Sequence, residues 1–360
     1  MKSKVVVLKT RPEKVFEDIG KGMALAGYAE RVRKEVPVIL KDNISWHVPF
    51  LSANTTPWQL EGVIRYLQKS GYRQVVSVHN RTVVTDPFKG EWLNRLDPIY
   101  KKFGVAEYYN FQKEFPWVRF GEKLDFLALP RIYGDDILIP EFFIGKNIIH
   151  LPTCKTHIYT TTTGSMKNAF GGLLNTKRHY THSLIHETLV DLLMIQKKIH
   201  PSIFTVMDGT ICGSGPGPRT MTPHEKNLML FSDDPVAIDA TAARIMGFDP
   251  MSIRFIRLAT EKGLGNGEPA NIDVLGEDIS RMNFGFAVGD NLPSAVGDML
   301  WFSPLKVFQR LLFHTPLVYL FVFASFFYHD YFWWPVKGKR IMRKFAATSQ
   351  WAKYFETFPE

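Results

Sequence analysis

The chain has 360 residues, of which 45% are hydrophobic and 22% are charged. This is the balance of a globular protein, and it excludes wholesale disorder. The length is long for a single core and suits two compact units plus an extension. The two cysteines, Cys154 and Cys212, lie far apart. They are too few for a self-contained iron–sulfur cluster or a four-cysteine zinc site, and they indicate a reducing compartment.

The net charge of +9 is unevenly distributed along the chain. Residues 301–360 contain eight Lys and Arg but three Asp and Glu, so this segment carries +5 of the total. A nucleic-acid-binding protein would more often spread basic residues through its folded core, and we therefore expect no nucleic-acid partner. The N-terminus lacks the apolar run of a secretory signal, which predicts a cytoplasmic protein.

Residues 1–290 predict an α/β domain with a mostly parallel sheet and flanking helices. Strand-like runs, VVVLKT and VPVILKDN, precede a helix that begins at Thr55-Thr56-Pro57, with threonine as its N-cap. The run QVVSVHN then predicts the next strand, and this β-α-β order implies parallel pairing. Residues 87–135 are irregular, aromatic and rich in Pro and Gly, which indicates an inserted cap.

The second half of the domain continues the alternation. DILIP, KNIIHLP, SIFTVMDG and NLMLFSDD predict strands, with a helix near Ser183–Ile199 between the second and third of them. A further helix should begin at Pro235, capped by Ser232 or Asp233, and end at Gly247.

Residues 291–360 form a distinct aromatic and basic tail, expected to be a helical extension. The last 60 residues hold 19 of the 49 aromatic residues of the chain. The uncharged core, Pro316 to Tyr328, is shorter than the roughly 20 apolar residues that a spanning helix needs. With its basic flanks, it predicts a segment that lies on a membrane surface through residues 301–345. The alternatives are a helix packed on the domain and an oligomer interface.

The stretch from Leu151 to Tyr180 concentrates the residues expected to form a site. Side chains that follow a parallel strand project into the crevice where α/β proteins bind ligands. Here Lys155 and Lys167 could bind a phosphate or carboxylate, and His157 could act as general acid or base. Three polar residues would complete an anion nest, Thr163, Ser165 and Asn168. The alternative is a threonine-rich turn with solvated lysines.

Other strand ends supply further candidates. Lys41, Asn43 and Thr56 could bind the same anion, although capping of a helix explains Thr56 equally well. Asp208, at a predicted strand end, and Asp239, within an apolar helix, could orient or complement His157. Gly215 would allow close approach of a ligand to the backbone. For Asp239, pairing with a base such as Arg244 is the alternative.

Three histidines, His179, His182 and His186, are spaced three and four residues apart, so they would share one face of a helix. Such a face could bind a divalent metal ion, but a polar helix surface is the alternative, and no HExxH pattern is present.

Several of these motifs, in the same order, resemble the bacterial and archaeal family catalogued as domain of unknown function 362. The resemblance runs from about Val36 to Gly276 and includes VILKDN, LPTCKTH, TGSMKNAFGG, GSGPGP and FSDDPVAIDATAARIMGFDP. It implies an α/β domain and no particular activity. Many relatives are expected to carry a ferredoxin-type cluster domain with a redox role, but this chain lacks the cysteines, so no iron–sulfur cluster is expected.

At the level of pattern alone, His157 followed by Lys167 is similar to the arrangement in nickel-pincer lactate racemases, and Asp42 with Thr56-Pro57 resembles their N-terminal motif. This implies a metal-dependent racemase or epimerase as one alternative. The leading hypothesis is an enzyme that uses a Lys/His site for acid/base chemistry on a small or lipid-linked anion. The other alternative is a non-catalytic ligand- or cofactor-binding subunit of a membrane-associated biosynthetic or redox complex.

Overall fold

A computed structural model describes residues 2–82, 84–291, 307–308, 311–312 and 315–359. Within these residues, the strands form one ten-stranded mixed sheet and one small two-stranded sheet. The strands are β1 (Ser3–Lys9), β2 (Val38–Lys41), β3 (Val75–His79), β4 (Ala106–Tyr109), β5 (Trp117–Arg119), β6 (Leu138–Pro140), β7 (Asn147–His150), β8 (Thr153–His157), β9 (Thr161–Thr162), β10 (Ile203–Ser214), β11 (Thr222–Ser232) and β12 (Ile272–Gly276).

The main sheet has the order β12-β1-β11-β10-β7-β2-β3-β4, and β8 pairs with both β10 and β9. The five consecutive strands from β10 to β4 are mutually parallel, whereas β11 is antiparallel to both β1 and β10. The predicted α/β fold with a mostly parallel sheet is therefore confirmed.

Both faces of the sheet are covered by helices and loops. Along β2, Val38 and Leu40 pack into the apolar cluster on one face, and Ile39 packs into the cluster on the other. The helices are α1 (Val15–Leu25), α2 (Tyr28–Arg31), α3 (Pro57–Lys69), α4 (Pro87–Leu93), α5 (Asp97–Phe103), α6 (Leu129–Tyr133), α7 (Ser165–Asn168), α8 (Phe170–Leu173), α9 (Ile185–Ile199), α10 (Pro235–Met246), α11 (Arg254–Glu261), α12 (Val318–Phe326), α13 (Lys339–Thr348) and α14 (Gln350–Phe355). Short 3-10 helices span Glu141–Phe143, Thr176–Leu184, Pro250–Ser252 and Pro269–Asn271, and a π-helical segment, Phe327–Gly338, continues α12.

The helix boundaries follow the predicted capping residues. Thr56 caps α3 through a capping box with Gln59, and α10 begins at Pro235 and is closed by Gly247 in the left-handed region. The cap of α10 is Asp234, not Ser232 or Asp233. Its carboxylate accepts hydrogen bonds from the backbone N–H groups of the first turn, which leaves Asp233 to pair with an arginine elsewhere.

Three segments differ from the sequence-based expectation. Residues 87–109, placed in an irregular cap, form α4, α5 and β4, and β4 joins the main sheet beside β3. Lys155 and His157, expected on a loop, lie within strand β8. Strand β10 does not end at Asp208 but continues to Ser214, because β11 pairs with it past a bulge near Gly209.

The described part of the tail, from residue 315 to residue 359, is mostly helical and packs on the domain. Trp351 and Phe355 join the apolar cluster beneath α3, and Arg95 donates hydrogen bonds to the carbonyl of Phe355. Nearer the start of the tail, Trp333 packs against Trp46. Of the helices in the described ranges, none is both long enough and apolar enough to cross a membrane. The predicted break near residue 290 borders residues 292–306, which lie outside the described part of the chain.

Candidate functional site

A cavity of about 500 Å³ lies at the carboxyl ends of β2, β3, β7 and β8 and is closed on the opposite side by α12 and the π-helical segment. This is the edge of a parallel sheet where α/β proteins bind ligands. Among its lining residues are nine that the sequence singles out: Lys41, Asp42, Asn43, His157, Thr163, Lys167, Asn168, His179 and His182.

Cationic side chains dominate the polar part of this cavity. Lys167, Arg178 and Arg219 line it, and none of them forms an ion pair within the described residues. Burial lowers the pKa of Lys167 to about 8, with a further contribution from Arg178. Burial also lowers the pKa of each arginine to about 10. We call these three residues the cationic group. A negatively charged ligand would relieve its cost of burial.

The fourth lining cation, Lys41, is already neutralised. Its ammonium donates hydrogen bonds to the backbone carbonyl of Asp42, at 2.7 Å, and to the carboxylate of the same residue, at 3.3 Å. Asp42 contributes the one carboxylate side chain among the lining residues in the described part of the chain. The cavity therefore keeps an excess of positive charge at its polar end.

His157 is neutral in this setting. Burial and the nearby Lys167 hold its pKa well below the ordinary value. Its Nδ1 accepts a hydrogen bond from the backbone N–H of Tyr159 at 3.1 Å, so the ring proton of the neutral imidazole resides on Nε2. His157 is thus suited to donate a hydrogen bond to a ligand oxygen. Lys167, with a pKa of about 8, is a lining group whose protonation changes near neutral pH.

The opposite wall is apolar and comes from the tail. Val318, Phe321, Val322 and Tyr328 line it. The adjoining Asp330 attaches this wall to the domain, because its carboxylate accepts a hydrogen bond from the Trp46 indole at 2.6 Å. The cavity therefore combines a cationic end on the domain with an apolar end on the tail.

Two predicted site residues, Lys155 and Asp239, hold the loops around the cavity instead of lining it. The ammonium of Lys155, 1% exposed, donates to Ser45 Oγ at 2.8 Å and to the carbonyl of Ala53. Asp239 accepts hydrogen bonds from the backbone N–H groups of Ser165, at 2.6 Å, and Met166, at 3.0 Å. It anchors the turn that carries Lys167 and does not pair with Arg244.

Asp208 and Thr56 lie together, but between α3 and the sheet. Thr56 donates a hydrogen bond to Asp208, whose other oxygen accepts from the backbone and hydroxyl of Thr210, each at 2.7 Å. The hydroxyl groups of Ser165 and Thr205 share a hydrogen bond beneath the same sheet edge. Gly215 lies just outside the lining, at a positive φ of 106°.

The three histidines predicted to bind a metal ion, His179, His182 and His186, do not lie on one helix. His179 and His182 lie on a 3-10 helix, in which residues three apart share a face, and both line the cavity. His186 lies in α9, where its ring stacks on Phe255. Sequence reasoning missed Arg178, which directly precedes His179. It also missed Arg219, although this arginine directly follows the GSGPGP motif.

The family described as Domain of unknown function (DUF362) matches residues 38–244, more than half of the chain, and the chain belongs to this family. A protein of Synechocystis sp. named as thylakoid-associated is 30% identical over 125 residues, which are 33% of this chain and 37% of that relative. The chain thus matches little more than a third of this relative's length. No solved structure matches the chain.

Proposed function

We propose that this chain is an enzyme that binds an amphiphilic anion, a phosphate or carboxylate joined to an apolar group, and that Lys167 transfers a proton to or from it. The observation that carries this proposal is the division of one cavity into a cationic end and an apolar end. A purely polar ligand would leave the apolar end unfilled, and a purely apolar ligand would leave the cationic end without a partner.

The cationic group supports recognition of the anion. Two guanidinium groups offer planar pairs of N–H donors, the geometry that suits a carboxylate or phosphate, and Lys167 adds a point charge. The low pKa values of all three mean that protonation costs free energy in the empty cavity, and a bound anion offsets that cost.

Lys167 also supports acid/base chemistry. A pKa of about 8 leaves both the ammonium and the free amine populated near neutral pH, so the side chain can donate or accept a proton. His157, with its proton on Nε2, would hold a substrate oxygen in place. Proton transfer next to the anionic group is the reaction class that we propose.

Binding can be tested with decanoate, which has both a carboxylate and an apolar chain. We expect decanoate to bind the full-length protein, as measured by isothermal titration calorimetry, at least about tenfold more tightly than acetate or decanol, since each of these fills one end of the cavity only. Lys167→Met should weaken decanoate binding about tenfold or more, because it removes a buried charge–charge interaction.

The matched control is Lys177→Met, which removes an exposed lysine outside the lining. It should leave decanoate affinity unchanged. Equal weakening in both variants would assign the effect to net charge, and equal affinities for decanoate, acetate and decanol would contradict an amphiphilic ligand.

We further propose that the tail lies on an anionic membrane surface, from which such a ligand would enter. The outer face of the helix 318–338 exposes large apolar side chains next to basic ones, the composition of an interfacial segment. The apolar members, all at least half exposed, are Tyr319, Leu320, Phe323, Phe327, Tyr331, Phe332 and Val336. The exposed basic residues that follow are Lys337, Lys339, Arg340, Arg343 and Lys344.

Vesicle co-sedimentation tests this membrane proposal. The full-length protein should sediment with vesicles that contain phosphatidylglycerol and much less with phosphatidylcholine vesicles. Phe323→Ser/Phe327→Ser should abolish sedimentation, because it removes two apolar side chains from the exposed face, each contributing roughly 1.5–3 kcal/mol on insertion. Phe88→Ser, at an exposed phenylalanine outside the tail, is the control. A stable dimer with no vesicle binding would instead identify the face as an oligomer interface.

A further inference from the structure

A second polar cluster lies beside the cavity, at the ends of β3 and β4. It consists of His79, Glu91, Glu107 and Asp42, and we call it the His79 cluster. His79 ends β3, Glu107 lies on the adjacent β4, and Glu91 lies on α4. His79 is 1% exposed, and its ring is packed between Tyr100 and Tyr109. The proposed proton transfer by Lys167 does not involve this cluster.

Oxygens of three carboxylates converge on the His79 ring. Nδ1 lies 2.9 Å from Glu91 Oε1 and 3.3 Å from Asp42 Oδ2, and Nε2 lies 3.6 Å from Glu107 Oε1. These are ion-pair distances. Both ring nitrogens and all three oxygens lack a hydrogen-bond partner in the part of the chain that the structure describes.

The second oxygens of two of these carboxylates are held by other groups. Glu91 Oε2 accepts a hydrogen bond from the Tyr109 hydroxyl at 2.6 Å, and Asp42 Oδ1 accepts one from Lys41 at 3.3 Å. The partnered oxygens thus fix each carboxylate, and the unpartnered ones face the imidazole. This is the arrangement of metal sites, where outer groups orient the ligands.

We infer that His79, Glu91 and Glu107 form a binding site for a divalent first-row cation such as Mn²⁺. One ligand atom from each residue lies within 4.8 Å of the others, and ligand atoms around such an ion at about 2.1 Å are roughly 3–4 Å apart. One imidazole nitrogen with carboxylate oxygens is a donor set for Mn²⁺, Fe²⁺ or Zn²⁺.

Charge favours a cation over an empty cluster. The carboxylates of Asp42 and Glu91 are buried and that of Glu107 is partly exposed, and besides the imidazole they face one ammonium, that of Lys41. A divalent ion bound by the neutral imidazole would supply the two positive charges that balance the other two carboxylates. Asp42, which also lines the cavity, faces the same nitrogen of His79 as Glu91, namely Nδ1.

Titration of the chelator-treated full-length protein with Mn²⁺, followed by electron paramagnetic resonance, tests this site. We expect one tightly bound Mn²⁺ per chain. Glu91→Gln and Glu107→Gln should each weaken it at least about tenfold, because the amide keeps the shape but removes the charge, and Tyr109→Phe should weaken it less. Glu187→Gln, at a carboxylate paired with Arg254 elsewhere, should leave it unchanged.

A measurement on the unaltered protein guards against variants that fail to fold. Bound Mn²⁺ should broaden the nuclear magnetic resonance signals of the Tyr100 and Tyr109 rings before those of other tyrosines. No stoichiometric Mn²⁺, or Mn²⁺ that is retained in both glutamine variants and lost in His182→Asn, would overturn the assignment.

Discussion

Acidification from about pH 7 to about pH 4 is expected to cost the folded protein several kcal/mol. Burial lowers the pKa of His150 and His329 to about 3 and that of His182 and His200 to about 4, whereas an unfolded histidine titrates near pH 6.5. Between these values the unfolded chain binds more protons than the folded chain, so stability falls as the pH falls. Each such histidine contributes a slope of up to about 1.4 kcal/mol per pH unit.

Carboxyl groups with raised pKa values act in the opposite direction. Burial raises the pKa of Asp239 to about 8 and that of Glu107 to about 7, and it also raises the pKa values of Asp208, Asp191 and Asp233. For these groups stability is lost as the pH rises from the unfolded value of about 4 towards the folded one. Eight histidines in the described residues have lowered pKa values and outnumber these five carboxyl groups. We therefore expect stability to fall as the pH falls below 6.5.

Urea unfolding at several pH values, compared with His200→Gln, measures this effect. His200 Nδ1 donates a hydrogen bond to the carbonyl of Lys146 at 2.7 Å, and the glutamine amide can replace that donor without titrating. The slope between pH 6 and about pH 4.5 should therefore decrease by roughly one proton in the variant. A stability that does not change over this range would show that the buried histidines are not neutral in the folded state.

Asp239→Ala is expected to destabilise the fold by about 2–5 kcal/mol. The substitution leaves the buried N–H groups of Ser165 and Met166 without an acceptor, and each unsatisfied donor costs about 1–3 kcal/mol. Gly164 fits tightly here as well, because a Cβ at this position would lie 2.7 Å or less from the Asp239 carboxylate atoms. Loosening this turn should also reduce ligand affinity, since Lys167 follows it directly.

Arg244→Ala on the same helix is the control for Asp239→Ala. Arg244 and alanine have similar helix propensities, and Asp239 does not bond to Arg244 in the described residues. Chemical denaturation should show little change for Arg244→Ala. Equal destabilisation by the two substitutions would support the pairing that the sequence suggested and would contradict the backbone anchor.

Much of the fold could be predicted because local signals agree with it. Thr56 and Pro57 begin α3, Pro235 and Gly247 bound α10, and the apolar runs before Asp42 and Leu151 are buried strands. Strand pairing between distant segments has no such signal. This is why β4, which begins 19 residues after residue 87, where the predicted cap starts, was not predicted to join the main sheet.

The candidate site could be predicted in part. Residue type indicated Lys167, His157 and Asn168, which lie in the stretch from Leu151 to Tyr180 and line one cavity. It could not separate them from Lys155, which has the same chemistry but is buried against the loop that contains Ala53. Lys155 and His157 lie two residues apart in β8, so the alternation of side chains along a strand does not distinguish them either.

The tail shows a further limit of prediction from sequence. Its composition predicted a helical segment with an apolar face, but nothing in it indicated that Phe321 and Tyr328 would line the cavity. That contact depends on tertiary packing, through Trp46 with Asp330 and Trp333. The same packing gives the cavity its apolar end, on which the proposed ligand class depends.

The pH dependence of decanoate affinity, in wild type and in Lys167→Arg, tests the central proposal most directly. Decanoate stays ionised between about pH 6 and 9, whereas Lys167, with a pKa of about 8, loses most of its charge in that range. Arg178 and Arg219, with pKa values of about 10, keep most of theirs. We predict that wild-type affinity falls with rising pH above about 8 and that Lys167→Arg, which keeps its charge, binds almost equally well throughout this range. An affinity that is independent of pH in the wild type, or unaffected by Lys167→Met, would contradict a cavity built around this lysine to bind an anion.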